Sequence, residues 1–222
     1  MIRAVIFDMY ETLITHYDCP LYFGPQMAAD AGISEEDFLK WWKPAEEDRT
    51  VGRMTLEELV ELILRKNNCY SDETWKLIVG KRSAVKVECF KHLHPEIIPM
   101  MSKLKEQGIL VGLISNCFSE EAPVIRKSVL APYFDEMCLS YELGMQKPEE
   151  RIFYYCMERL GVRPEECLYI GDGGSMELET ARRLGMTAMQ AVWYFRDDIS
   201  QPMKRKPEFQ QLERPLDVLG RI

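Results

Sequence analysis

The chain has 222 residues, 46% of them hydrophobic, enough to build one domain or one domain carrying an insert. Its net charge of −8 and pI near 5.1, with no long basic run, exclude nucleic acid as an expected partner, because phosphate-backbone binding needs a concentrated cationic face. No apolar stretch approaches the roughly 20 residues of a membrane span, so no membrane partner is expected either.

The opening MIRAVIFDMY lacks the length and cleavage site of a secretory leader and reads as a strand that begins almost at once. Seven cysteines (19, 69, 89, 117, 138, 156 and 167) are an odd number without a CxxC pair, and Cys138, Cys156 and Cys167 sit in apolar runs as small hydrophobes. Neither a disulfide framework nor a zinc cluster is expected, and a reducing cytoplasm fits.

Five short apolar runs follow in chain order, at 4–7, 109–114, 137–140, 167–170 and 187–192, each too short for a helix and most rich in Val, Ile and Leu. Helical stripes separate them. Ile97, Met101 and Leu104 form one, closed by Gly108. Ile152, Cys156 and Leu160 form another, opened by Pro148 and closed by Gly161. Leu178, Ala181 and Leu184 form a third, opened by Ser175 and closed by Gly185. Strands alternating with helices imply an α/β fold: a doubly wound parallel sheet with a Rossmann-like core.

Residues 16–87 break this alternation. Ser34 with Asp37, Thr55 with Glu58 ahead of Leu56, Leu59, Val60 and Ile63, and Ser71 ahead of Trp75 each open a helix, with no strand between them. This is a helical insert after the first strand, dividing the chain into 1–15 with 88–222 as one domain and 16–87 as another. Trp41, Trp42 and Trp75 are expected to pack the insert's own small core. The tail from Phe195, with Pro202, Pro207 and Pro215, reads as loop ending in a short helix or strand.

Ligands of open parallel sheets bind outside the carboxyl ends of the strands, so the residue after each apolar run is informative. Asp8 follows the first, in FDMYETL. Ser115 and Asn116 follow the second, in LISN. Lys147 lies beyond the third, in GMQKP. Gly171, Asp172 and Gly173 follow the fourth, in YIGDGG, with Glu177 shortly after. Each alone is a common turn or helix cap. Together they bring three acids, a hydroxyl, an amide and one lysine to a single rim, which no need of the fold explains. The acids would repel one another in a partly dry cleft, and Lys147 offsets only one charge. A divalent cation resolves the excess, and oxygen-only ligands point to magnesium. A carboxylate can attack phosphorus or carbon to give a covalent ester, with the cation, Lys147, Ser115 and backbone N–H groups compensating the charge on a transferring phosphoryl group.

With its four motifs in order, the α/β core and the insert, the chain resembles the haloacid dehalogenase-like hydrolases over nearly its whole length. The resemblance implies Asp8 as nucleophile and metal ligand, the Tyr10 carbonyl as a second ligand, Thr12 in the phosphate-side loop, and Ser115 and Asn116 on the transferring group. It further implies Lys147 steadying Asp8, Asp172 on Mg²⁺ with Glu177 supporting, and residues 16–87 as a cap that closes over the site and selects the substrate. The expected partner is a small phosphorylated metabolite.

Tyr10 departs from the pattern. Family phosphatases usually carry a second Asp there, which protonates the leaving group; a tyrosine of ordinary pKa near 10 is a poor acid or base at neutral pH. Asp-x-Tyr-x-Thr-Leu resembles the branch that cleaves carbon–halogen bonds of 2-haloacids, but that branch is metal-free and lacks the acid present here as Asp172, and Glu11 replaces the usual Gly. The first motif leans towards dehalogenase and the fourth towards phosphatase. The fourth weighs more, because an uncompensated Asp172 facing Asp8 would raise the nucleophile's pKa. A weakly active or inactive phosphoryl-binding regulatory protein is the third reading.

Of the remaining residues, His16 is a candidate proton carrier in place of the missing Asp. His92 and His94 read as linker surface and Cys117 as packing, while Arg49 and Arg53 could supply the cationic grip on carboxylate and halide that a dehalogenase needs, or equally be surface residues on either side of a turn at Gly52.

Overall fold

The computed structural model describes residues 1–198 and 203–222; Pro202 lies outside them. Strand β1 (Ala4–Phe7) is followed by helices α1 (Gly24–Ala31), α2 (Glu35–Trp42), α3 (Glu46–Thr50), α4 (Leu56–Lys66) and α5 (Asp72–Cys89). Then come α6 (Ile97–Glu106), β2 (Leu110–Ser115), α7 (Ala122–Lys127), β3 (Glu136–Leu139), α8 (Ser140–Leu143), α9 (Glu150–Leu160), β4 (Cys167–Gly171), α10 (Glu177–Arg183), β5 (Thr187–Ala191) and β6 (Gln210–Leu212). The expected runs are strands to within a residue or two, and β6 with a final 3₁₀ turn at Pro215–Arg221 gives the tail both a strand and a helix.

All pairings are parallel, in the order β3-β2-β1-β4-β5-β6. The chain builds outward from β1 in one direction, then returns to build outward from β4 in the other. The β1/β4 boundary is therefore the switch point at which such sheets leave a crevice. The sheet is covered on both faces, which is why its strands are apolar without alternation. Val5, Phe7, Val111, Leu113, Leu168 and Ile170 face Ile97, Met101 and Leu104 of α6. Ala4, Ile6, Ile114 and Tyr169 face Ile152, Phe153 and Cys156 of α9 and Leu178 and Ala181 of α10.

Helices α1 to α5 bury a separate core, with Met27, Phe38, Leu56, Leu59, Val60, Ile63 and Ile78 at its centre and Trp41, Trp42 and Trp75 packed against it. Their starts are set locally. The Thr55 hydroxyl accepts from Glu58 N–H while the Glu58 carboxylate accepts from Thr55 N–H, and Ser34 and Ser71 cap α2 and α5 through their hydroxyls. Ser175 does not cap α10 as expected. Met176 occupies that position with φ 54°, because the Ser175 N–H is drawn to the Glu177 carboxylate. No helix among the described residues is long and apolar enough to cross a membrane.

Candidate active site

Register brings the two motif aspartates together. Phe7 pairs with Ile170, and Asp8 N–H donates to the Ile170 carbonyl at 2.8 Å, so Asp8 and Asp172 leave adjacent strands at the switch point. Carboxylate oxygens of Asp8, Asp172 and Glu177 all lie within 4.8 Å of one another, and all three residues are buried. Glu177 is fixed by Gly173 N–H at 2.6 Å and Ser175 N–H at 2.7 Å, and Asp172 by Gly174 N–H at 3.1 Å. Lys147 Nζ pairs with Asp8 Oδ1 at 2.5 Å, and Met9 N–H donates to the same oxygen at 2.7 Å.

Three buried acids share one ammonium, and the electrostatics show it. Burial, reinforced by Glu177 and only partly offset by Lys147, raises the Asp8 carboxyl above its ordinary range. Asp172 is raised well above its own by burial and then by Asp8 and Glu177. Burial works against the Lys147 ammonium, yet the surrounding acids win and hold its pKa up. An all-oxygen donor set of this kind, with excess negative charge, fits a hard divalent cation.

The other sequence-predicted residues divide. Ser115 is fully buried at the end of β2. The Asn116 amide is engaged on both sides by the Lys147 backbone. The Thr12 hydroxyl is buried without a partner among the described residues, while its carbonyl accepts from Trp193 Nε1 at 2.7 Å. The Tyr10 ring stacks on His16, centroids 4.5 Å apart, and its hydroxyl is buried without a partner among the described residues, its pKa pushed up by burial and by Glu121. Tyr10 thus offers no acidic proton near neutral pH. Glu11, at φ 56°, accepts from the Thr15 hydroxyl at 2.6 Å and from His16 N–H at 3.0 Å.

Beside Tyr10 lies a charged network that the sequence reading missed. Glu120 Oε1 receives Arg49 Nη2 at 2.9 Å and Arg82 Nε at 3.2 Å, while Lys86 Nζ lies 2.5 Å from Glu121 and donates to His16 Nε2 at 2.7 Å. Arg49 is sandwiched between the Trp42 and Phe118 rings, at 4.1 and 4.0 Å. It is 1% exposed, which overturns the surface alternative for Arg49, because those rings and Glu120 solvate the guanidinium in place of water. Arg53 is exposed, paired with Glu47 and Asp48. A readable signal existed: Ile78, Arg82, Lys86 and Cys89 form one buried stripe of α5, so two cations stand at core positions. The network joins the helical segment to the loop after β2. Near it opens a cleft of 540 Å³, walled by Lys43, Glu46, Glu47 and Thr50 on one side and by Asn116, Phe118, Gln146 and Ser175 on the other.

Residues 2–185 match the family model described as haloacid dehalogenase-like hydrolase. A glyceraldehyde 3-phosphate phosphatase of Methanopyrus kandleri is 29% identical, over 99% of this chain and 96% of its own. Two crystal structures share the fold. A HAD phosphatase from Thermococcus onnurineus superposes with TM-score 0.68 at 21% identity, covering 99% of this chain and 97% of that one. A 2-haloacid dehalogenase from Pseudomonas syringae pv. Tomato DC3000 superposes with TM-score 0.67 at 21% identity, covering 100% and 99%. Shape alone therefore does not separate the two chemistries.

Proposed function

Because this chain belongs to the haloacid dehalogenase-like hydrolases, we propose that it is a magnesium-dependent phosphatase of a small phosphorylated metabolite, acting through an aspartyl-phosphate on Asp8. The observation that carries this reading is the buried triad of Asp8, Asp172 and Glu177 within 4.8 Å, served by a single lysine. A metal-free carbon–halogen hydrolase has no use for that excess charge, and the full-length phosphatase relative supports the choice.

In this reading Asp8, the Tyr10 carbonyl and Asp172 would hold Mg²⁺, with Glu177 fixing the loop behind them. A cation held there would supply positive charge to offset that of the phosphoryl oxygens. The free Asp8 oxygen attacks phosphorus while Lys147 steadies the other, the bond to the leaving oxygen breaks, and water later cleaves the acyl phosphate to restore Asp8. Lys147, the Ser115 hydroxyl and backbone N–H groups after Asp8 stabilise the transferring group. Residues 16–87 act as the cap over a core of 1–15 and 88–222, and the Lys43–Thr50 wall of the cleft meets the leaving group. With Tyr10 unable to donate a proton, turnover favours leaving groups that depart as stable anions.

The test is hydrolysis of an aryl phosphate by the purified chain. Magnesium-stimulated turnover lost in Asp8→Asn is expected. Halide release from a 2-haloacid in the presence of chelator would overturn the reading in favour of dehalogenation, and magnesium binding without turnover across a broad panel would overturn it in favour of a regulatory role.

A further inference from the structure

We infer that Cys19 and Cys89 form a reversible oxidation site, a thiol pair that closes into a disulfide and ties together the two chain crossings between the helical segment and the sheet layer. The two sulfurs are 2.8 Å apart although 70 residues separate them. Cys19 lies between the loop after β1 and the start of α1, where the chain enters the helical segment; Cys89 is the last residue of α5, where it leaves. A bond between them therefore closes the whole segment into a covalent loop.

Placement favours this pair over the other thiols. Cys138 of β3 and Cys156 of α9 make a second thiol–thiol contact, but both are wholly buried, as are Cys117 and Cys167 of β4, and Cys69 sits apart on the helical segment with its thiol turned to the Leu64 carbonyl. Cys19 is 9% exposed and Cys89 wholly buried, so a small oxidant meets Cys19 first. A pocket of 220 Å³ opens beside the pair, lined by Asp18, next to Cys19 in the chain, and by His92, whose N–H donates to the Cys89 carbonyl at 3.4 Å. The Cys19 thiol donates to the His16 carbonyl at 3.2 Å, which aims its sulfur at the crossing.

With a peroxide as oxidant, the Cys19 thiolate attacks one peroxide oxygen, the O–O bond breaks, and hydroxide leaves with a proton as water. Cys89 sulfur then attacks the Cys19 sulfenic acid, the S–O bond breaks, and a second water departs as the S–S bond forms. Two thiols lose two electrons and two protons, and the peroxide is reduced to two waters. A small disulfide serves equally, ending as two thiols. Burial, with Glu88 and Asp18 behind it, pushes the Cys19 thiol up against the opposing pull of Cys89 and Lys86, so the attacking thiolate becomes more abundant as pH rises.

The experiment treats the reduced, purified full chain with hydrogen peroxide or oxidised glutathione. Two of the seven thiols are expected to disappear from titration, peptide mapping is expected to find Cys19 joined to Cys89, and dithiothreitol is expected to restore all seven. The Cys19→Ser variant keeps its six thiols under the same mild dose. Amide exchange in residues 16–23 and 86–92 slows in the oxidised form. A sulfonic acid or lasting mixed disulfide on Cys19 without a cross-link, a cross-link between other cysteines, or unchanged exchange at the crossings after bond formation would each overturn the proposal.

Discussion

Asn116 holds Lys147 by its backbone: Oδ1 accepts the Lys147 N–H at 2.8 Å, and Nδ2 donates to the Lys147 carbonyl at 3.0 Å. The amide thus docks the loop after α8 onto the end of β2 and sets where the ammonium meets Asp8. Asn116→Asp keeps the shape but turns the donor into a second acceptor facing a carbonyl. We expect kcat to fall by roughly 10–100-fold with a smaller change in KM, since small displacements of a positioning group cost about that much. Steady-state kinetics on an aryl phosphate measure it; a wild-type kcat would refute this role.

Asp172 should have opposite effects on stability and on metal binding. In chelator, Asp172→Asn removes one of three crowded carboxylates, and a gain of about 1 kcal/mol corresponds to a Tm rise of roughly 2–4 °C for a chain of this size. In saturating Mg²⁺ the advantage reverses, because the wild type gains binding free energy that the variant loses. Calorimetric melts with and without magnesium check both signs; a lower Tm for the variant in chelator would contradict the charge argument.

The buried Tyr10 hydroxyl, its pKa pushed up by burial, predicts a steep dependence on leaving group. Aryl phosphates should turn over far faster than alkyl phosphates. Tyr10→Asp, supplying a titratable acid, should raise alkyl phosphate turnover by about 10²-fold or more while leaving aryl phosphates nearly unchanged, the range expected of general acid catalysis. A series of substrates with graded leaving-group pKa tests this, and equal rates across the series would defeat it.

Glu120 carries two buried guanidiniums on one oxygen. Glu120→Gln leaves Arg49 and Arg82 facing a neutral acceptor, which costs about 3–5 kcal/mol. At this chain length that is a fall in Tm of roughly 6–20 °C. A change of less than a degree or two in thermal denaturation would mean that the network contributes little.

His16 gives a pH dependence with a definite sign. Burial, then Lys86, holds its pKa well below the ordinary value of about 6.5. Below that value the unfolded chain takes up a proton that the folded chain refuses, so stability present above about pH 6.5 is lost as pH falls towards the folded pKa, at about 1.4 kcal/mol per unit. Denaturant unfolding at pH 7.5 and 5.5 should show this loss in the wild type and a smaller one in His16→Gln. Equal losses in both proteins would remove His16 as the cause.

Much of the architecture is legible in the sequence. Runs such as Ala4–Phe7 are apolar on both faces because a parallel sheet buries both, and Thr55 with Glu58 announces a helix start through bonds spanning three residues. Strand ends then pointed to Asp8, Ser115, Lys147 and Asp172, since open parallel sheets gather their polar residues at that rim. These features follow from short-range periodicity and from topology, both of which are written in local sequence. Tertiary structure decided the rest. Only the pairing of β1 with β4 sets Asp8 beside an acid 164 positions later (172 − 8), and only folding showed that the Asn116 amide is spent on Lys147. Arg49 could be read as a surface residue because it stands beside a turn at Gly52. It is buried because a carboxylate 71 positions away and two aromatic faces replace its water. The burial of a charge depends on partners that local sequence does not name, and so it was fixed only when the chain closed on itself.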